Sequence, residues 1–492
     1  SDVCSSDLEA TEARRFTGPG EGKGVRTILE GSQAVAEAVR LCRPNLVCAY
    51  PITPQTHIVE ELSRMVADGR LDAGYVLAES ELGAASIVLG GSAVGGRAYT
   101  ATSSQGLLLM VEVIFNIAGL RLPVVMTCAN RAVSAPINIW NDQQDAVSIR
   151  DSGWIQLFVE DNQEAVDTHI QAFKIAEELM IPVMVCMDGY VLTHTWEPVD
   201  IPAQEEVDRF LPPYEPPYKL DPDDPFTMGE MVGPDAYMET RYHVHMDMME
   251  ARAVIRRVCE EYREVFGRGG TGLIDAYGVE DADVVLVSMG SLLGTMREAV
   301  DGLREEGLKV GLVKVRCFRP FPKESIHDAI KGSQVVGVIE KDVSLGLEGT
   351  LCSEMRAAFC GEDSPEISSF IMGLGDPHEP RNLDCGATWR FLEEMAVVVT
   401  KMLPPLAHLR VVRQWAGSYD MTPDAQPILG LAPETEGYYY SVGFSGHGFM
   451  LAPMTGKLLA QVIVGEEPDI PIERLGPDRF VRGELILEPA VV

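Results

Sequence analysis

Leu46-Val47-Cys48-Ala49-Tyr50-Pro51-Ile52-Thr53-Pro54-Gln55 is the stretch on which the reading of this chain turns. Its first four residues form an apolar run of the length of a short buried strand. From 55 to 68, Ile58, Val59, Leu62, Met65 and Val66 recur at helical spacing, and Gly69 stops the pattern. The spacing predicts a helix over 53–68 with Thr53 as N-cap and Pro54 at the first helical position, where a missing N–H costs nothing. A strand that turns at once into a capped helix brings backbone N–H groups and a hydroxyl to the carboxyl end of a sheet. Open α/β sheets bind ligands there. The same turn serves equally well as a rigid connection, and these residues alone leave both readings open.

Outward from this turn, residues 25–202 alternate short apolar runs with helical patterns. Strands are expected at Leu46–Ala49, Ala98–Thr102, 124–128, 155–159 and 183–187, and helices at 32–42, 53–68, 81–94, 106–118 and 163–180. Such alternation argues for a parallel sheet with helices on both faces. Residues 203–245 read differently: Pro212-Pro213, Pro216-Pro217 and Asp221-Pro222-Asp223-Asp224-Pro225 suggest a linker or wrapping arm. Over 246–374 a helix at 246–266 precedes strand patterns at Val284–Ser288, Val310–Val315 and 335–339. Helix patterns at 294–306, 324–331 and 349–358 complete a second, smaller parallel α/β domain. The run Gly267-Arg268-Gly269-Gly270-Thr271-Gly272 has dinucleotide-loop spacing but follows a helix pattern instead of a strand, so it is a weak signal. From 375 to 492 the alternation lapses into an α+β tail with a helix pattern at 389–403. Residues 1–24 are polar, resemble a translated adapter remnant at their start, and are expected to be unstructured.

The net charge of −34 repels phosphate backbones and anionic lipid surfaces, so nucleic acid and membranes are not expected partners. No apolar run approaches the ~20 residues needed to span a bilayer. None of the 10 cysteines forms a C-x-x-C pair, which argues against a cysteine-held iron–sulfur cluster or zinc ribbon on this chain. A reduced cytoplasmic protein is the expectation.

Three further clusters sit where strands hand over to helices or loops. Glu79-Ser80-Glu81 follows an apolar run, and Gly83-Ala84-Ala85 after it permits close backbone packing. A carboxylate at that point is either a helix N-terminal charge or a buried acid placed to share a proton with a ligand nitrogen. Thr100-Ala101-Thr102-Ser103-Ser104-Gln105-Gly106 is a hydroxyl-rich strand end suited to polar ligand contacts or to capping. Arg131 projects from the end of the 124–128 strand, where a guanidinium fork grips a carboxylate or serves as an ion pair.

Several motifs in order carry a family resemblance. YPITPQ (50–55), ESELGAASIVLGGSAVGGRAYTATSSQGLLLM (79–110), NRAVSAPINIWNDQQDAVSIRDSGWIQLFVEDNQEAVD (130–167), DGYVLTH (188–194) and RCFRPFP (316–322) together resemble the alpha subunit of pyruvate:ferredoxin oxidoreductase over 25–373. The resemblance implies a thiamine-diphosphate-dependent enzyme subunit with a cofactor-binding-type parallel sheet domain at 25–202 and a transketolase C-terminal-like domain at 246–374. It implies oxidative decarboxylation of pyruvate to acetyl-CoA, or the reverse, with electrons passing to ferredoxin. Position by position, Thr53 resembles the family's substrate-contacting threonine, Glu81 the glutamate that meets the thiamine pyrimidine, and Arg131 the arginine near the substrate carboxylate. Subunits acting on 2-oxoglutarate or other 2-oxoacids share YPITP, while SQGLLLM and NRAVSAPINIWND are closer to the pyruvate type.

No segment of the kind that holds magnesium and the cofactor diphosphate is found. The Asp188-Gly189 pair lacks the rest of that pattern. The expected partners are therefore a beta-type subunit for the diphosphate and magnesium, a ferredoxin-like subunit for iron–sulfur clusters, ferredoxin itself, pyruvate and coenzyme A. The expected metal ligands on this chain are none. The tail resembles another family: WAGSYDMTPDAQPILG and GFSGHGFMLAPMTGKLLAQVI are similar to the end of glycine/sarcosine-oxidase-type FAD-dependent oxidoreductases, with Gly446, His447 and Gly448 matching a flavin-facing turn. Without the amino-terminal nucleotide-binding half of that family, FAD is not expected to bind, and the turn reads as vestigial in a chimeric reading frame. The alternatives are a true fusion, a flavin-dependent amine or amino-acid oxidoreductase fragment, and a non-catalytic subunit.

Overall fold

The computed structural model describes residues 24–269, 272–361, 365–375, 424, 426–432, 437–442, 448–482 and 486. The chain divides into two compact units, 1–381 and 382–492. In chain order the larger unit carries β1 (Val25–Glu30), α1 (Gly31–Leu41), β2 (Leu46–Ala49), α2 (Thr56–Ala67), β3 (Gly74–Leu77), α3 (Glu81–Ala93), β4 (Ala98–Thr102), α4 (Ser104–Leu109), α5 (Val111–Gly119), β5 (Val125–Asn130), α6 (Gln144–Ser148), β6 (Ile155–Phe158), α7 (Asn162–Leu179) and β7 (Val183–Asp188). β8 (Trp196–Ile201), α8 (Gln204–Phe210) and α9 (Tyr237–Phe266) follow. Then come β9 (Ile274–Tyr277), β10 (Val284–Ser288), α10 (Leu292–Glu305), β11 (Val310–Val315), β12 (Cys317–Arg319), α11 (Lys323–Ile330), β13 (Val335–Glu340), α12 (Thr350–Phe359) and β14 (Glu366–Ile371).

The first sheet has seven strands in the order β12-β6-β7-β5-β4-β2-β3. All pairs are parallel except β12, which runs antiparallel to β6. Its inner strands are buried on both faces, so they read as unbroken apolar runs and not as alternation; β7, VMVCMD, is buried at every position. Apolar stripes on α1, α2, α7 and α9 cover one face, through Val35, Ile58, Leu62, Phe173 and Ile255. Helices α3 to α6 cover the other, through Ala84, Val88, Leu107, Ile114 and Val147. Each such fully buried aliphatic or aromatic side chain contributes about 1.5–3 kcal/mol.

Three helix boundaries differ from the spacing. Helix α2 begins at Thr56 with Gln55 as N-cap, so Thr53 is not the cap. A turn closed by Gln55 N donating to Ile52 O at 2.8 Å precedes the helix, and the Thr53–Pro54 peptide is cis. The pattern at 106–118 is two helices, α4 and α5, meeting at Met110. Within the 203–245 arm, α8 forms first and buries Val207 and Phe210, whose ring meets Tyr262 edge-on at 5.2 Å. Helix α9 starts at Tyr237, well before 246, and buries Ala251, Ile255, Val258 and Tyr262 in the core of the first sheet.

The second sheet has the order β14-β13-β10-β11-β9, parallel except for β9. Its Val285, Val313 and Val338 belong to the same core cluster as α3 to α6. Between the sheets, Arg316 is wholly buried at the start of RCFRPFP. It donates to Gly272 O at 3.0 Å, Thr168 Oγ1 at 2.9 Å and Gln171 Oε1 at 2.8 Å, and lies 3.3 Å from Glu164 Oε1. A buried guanidinium is tolerated only when surrounded in this way.

In the smaller unit, β15 (Ile428–Leu431) pairs antiparallel with β16 (Tyr439–Val442), and a helix spans Gly448–Ile463. Among the described residues, Leu429, Leu458 and Ile472 form a buried apolar cluster there. Arg479 is buried and donates twice to Asp424, from Nε at 2.7 Å and Nη2 at 3.0 Å. That fork holds the Asp424 carboxyl well below the usual range. The helix pattern at 389–403, Gly446 and His447 lie outside the described residues, and Gly448 opens the 448–463 helix.

Candidate active site

The topology sets where a ligand can enter. The chain leaves β2 toward the α2 face, but leaves β3, β4 and β5 toward the opposite face. Adjacent strands that send their connections to opposite sides open a crevice at their carboxyl ends. The 50–55 turn after β2, the start of α3 after β3, the 103–106 turn after β4 and Arg131 after β5 all stand on that edge. Buried Gln55 spans the crevice floor, its Nε2 donating to Ala101 O at 2.6 Å.

Glu81 is the first residue of α3 and is only 8% exposed. It does not cap the helix; Ser80 does, its Oγ accepting from Gly83 N at 3.1 Å. The side chain instead lies against α4, where a Cβ added to Gly106 would come 2.7 Å from Glu81 Oε1 and 2.6 Å from Thr102 Oγ1. Among the described residues the Glu81 carboxylate makes no hydrogen bond or ion pair. Along the same edge, Thr100 Oγ1, Thr102 Oγ1, Ser103 Oγ and Gln55 Oε1 are buried without a partner among the described residues. Each orphan of this kind costs about 1–3 kcal/mol, so a row of them points to polar groups arriving from outside the chain.

Arg131 is 6% exposed. Its Nη1 donates to Thr53 O at 2.9 Å and its Nε to Asn138 O at 3.0 Å, leaving Nη2 without a partner among the described residues. Burial lowers its pKa, with Tyr190 and Asp145 opposing that effect. Thr53 itself is exposed on the turn. The structure thus joins Thr53 to Arg131 directly, and joins Glu81 to the 102–106 strand end.

The residue that locks these loops together is Asp145, for which the sequence offered no role. Fully buried, its Oδ2 accepts from Ser104 N at 2.9 Å and Arg131 N at 3.0 Å. Its Oδ1 accepts from Asn130 Nδ2 at 2.8 Å and Ala146 N at 2.7 Å. Burial raises this carboxyl to about 6 against the pull of the four N–H donors, which favour its charged form. Ser104 accepts a left-handed φ of 50° at this point, and its Oγ donates to Ala132 O at 2.6 Å. The signal in the sequence was a polar run, Asn141-Asp142-Gln143-Gln144-Asp145, in an otherwise apolar region.

Asp188, at the end of β7, is also fully buried but faces the second sheet. Ser291 donates to its Oδ2 from N at 3.0 Å and from Oγ at 2.6 Å, Gln143 Nε2 donates to Oδ1 at 3.0 Å, and Lys341 Nζ lies 3.5 Å away. Gly290, at φ +77°, fits because a Cβ there would meet Asp188 Oδ2 at 2.9 Å and Gln143 Nε2 at 2.4 Å. Asp188 is a latch between the two sheets.

Residues 37–260 match the family model described as "Pyruvate flavodoxin/ferredoxin oxidoreductase, thiamine diP-bdg", and 282–381 the one described as "Pyruvate:ferredoxin oxidoreductase core domain II". Residues 355–462 match "FAD dependent oxidoreductase". Pyruvate synthase subunit PorA of Methanosarcina barkeri is 50% identical over 371 residues, 75% of this chain and 92% of that one. Ketoisovalerate oxidoreductase subunit VorA of Pyrococcus horikoshii is 43% identical over 353 residues, 71% of this chain and 90% of that one. Among solved structures, a 2-oxoglutarate:ferredoxin oxidoreductase from Magnetococcus marinus shares the fold at a TM-score of 0.57 and 23% identity, over 77% of this chain and 65% of that one.

Proposed function

Because this chain belongs to the pyruvate synthase alpha-subunit family of 2-oxoacid:ferredoxin oxidoreductases, we propose that its crevice forms the pyrimidine and substrate half of a thiamine-diphosphate site acting on pyruvate. The observation that carries this reading is the buried, unpartnered Glu81 carboxylate beside Gly106, with the orphaned hydroxyls of 100–103 along the same edge. These residues fit an aminopyrimidine ring: an acceptor for a ring N–H, small-residue space for close approach, and hydroxyls for its exocyclic groups.

Thiamine diphosphate, when bound, supplies the nucleophilic carbon and electron sink that decarboxylation of a 2-oxoacid requires. Glu81 holds or shares the proton at the pyrimidine nitrogen. Arg131 offers Nη2 to the substrate carboxylate, while its Nε and Nη1 hold the Asn138 and Thr53 carbonyls. Thr53 orients the substrate from the exposed turn. Pyruvate is favoured because the pyruvate synthase relative at 50% identity exceeds the ketoisovalerate relative at 43%.

The partners proposed are a beta-type subunit holding the diphosphate and magnesium, a ferredoxin-like subunit holding iron–sulfur clusters, then ferredoxin and coenzyme A. A cytoplasmic location goes with this reading; among the described residues no helix is long and apolar enough to cross a membrane. The C-terminal segment matches its flavoprotein model over 355–462 only, and we propose that it binds no FAD unaided. Flavin absorbance in the purified chain would overturn that point.

The test of the main reading is co-expression with beta-type and ferredoxin-like subunits, followed by pyruvate-dependent reduction of a one-electron dye. Glu81→Gln is expected to lower the rate by about 10²–10⁴-fold. An unchanged rate in a complex that still binds thiamine diphosphate defeats it.

A further inference from the structure

Away from Glu81, three side chains from distant parts of the chain converge on one corner. Glu30 ends β1, His57 lies in the first turn of α2, and His194 follows β7. Their ligand atoms all lie within 4.8 Å of one another. His57 Nδ1 is 2.6 Å from Glu30 Oε1, and the two imidazole centroids are 4.8 Å apart. The orientation of His194 is fixed twice: Tyr190 stacks on it at 4.6 Å, with Trp140 against Tyr190 at 4.3 Å, and Thr193 Oγ1 sits 2.7 Å from its Nδ1. Thr193 Oγ1 is itself held, accepting from Tyr190 N at 2.8 Å.

We propose that Glu30, His57 and His194 form a binding site for a divalent transition ion of the zinc type. Two imidazoles and one carboxylate are a borderline donor set that suits Zn²⁺ over Mg²⁺ or Ca²⁺, which take oxygen ligands. The outer hydrogen bond, in which His194 Nδ1–H donates to Thr193 Oγ1 and leaves Nε2 for the ion, and the aromatic stack supply the orientation that metal-bound imidazoles need. His57 is 47% exposed at its side chain, so a fourth position stays open to water. The ion takes the place of the proton between His57 Nδ1 and Glu30 Oε1, and on a neutral imidazole that proton moves to Nε2, so the ring becomes a ligand with no net loss of a proton. The net charge of −34 favours cation capture. The site would tie the first turn of α2, and with it the Thr53 turn, to the loop after β7.

The test uses the untagged full chain, stripped with a chelator and titrated with Co²⁺ alone. The expected result is one equivalent bound with the intense visible bands of four-coordinate Co²⁺, displaced by Zn²⁺. His57→Asn and His194→Gln, shown folded by circular dichroism, should each weaken binding about 10–100-fold. Glu30→Gln, which keeps the side-chain shape, gives the same reading should a histidine variant fail to fold. Absence of the bands in the parent chain overturns the proposal, as does their persistence in the folded variants.

Discussion

The Arg131 guanidinium donates to the Thr53 carbonyl at 2.9 Å, joining two loops whose strands, β5 and β2, are separated in the sheet by β4. One side chain therefore both reaches the proposed substrate carboxylate and holds the turn opposite it. Lysine cannot make both contacts, since it lacks the rigid fork. Arg131→Lys is expected to lower kcat/KM for pyruvate about 10–100-fold, mainly through KM, in steady-state dye reduction by the assembled complex.

Asp145 accepts four N–H groups with its two oxygens, so asparagine would turn an NH₂ group against either its Oδ1 or its Oδ2 donors. Asp145→Asn should cost about 2–4 kcal/mol in urea unfolding. Activity should fall as well, because the Ser104 and Arg131 loops lose their common anchor.

Gly106 is the point of closest approach to Glu81. In Gly106→Ala the new methyl would sit 2.7 Å from Glu81 Oε1 and push the carboxylate from its place. The concentration of thiamine diphosphate needed for half-maximal activity is expected to rise at least ~10-fold, the scale of one displaced charged hydrogen bond. An unchanged value would mean that Glu81 does not meet the cofactor.

Glu340 gives a pH prediction. Burial pushes its carboxyl up from 4.5 to about 8, with Leu351 N and Cys352 N pulling it down. Between those values the folded chain keeps a proton that the unfolded chain has released. Folded protein then binds more protons, and stability falls as pH rises from about 4.5 to about 8, by up to about 1.4 kcal/mol per unit. Asp142, raised to about 7, adds a slope of the same sign. Urea midpoints measured across this range should therefore decline less steeply in Glu340→Gln than in the parent chain.

Much of the sheet was legible because its inner strands are apolar throughout, as double-sided burial demands. Edge strand β3, with Leu77 at 73% exposure, was legible only as the apolar run ahead of Glu79, and the β1–β8 ribbon, with Ile28 at 64%, lacked that mark and went unread. The start of α2 misled because the capping rule is local, whereas the Thr53 carbonyl is claimed by Arg131, far along the chain. Glu81 and Arg131 stood out since each follows a strand directly. Asp145 did not, since its donors at 104, 130 and 131 reach it only through sheet order. The RCFRPFP motif was recognisable, but what Arg316 does there is visible only once Thr168, Gln171 and Gly272 surround it.

The fit of Gly290 over Asp188 bears on how such proteins can be recombined. A segment grafted from a relative in place of 282–374 has to bring a residue without a side chain at 290 and a hydroxyl at 291, or the carboxylate of the host sheet is left buried with too few donors. The two domains are thus interchangeable parts only when the latch travels with its catch.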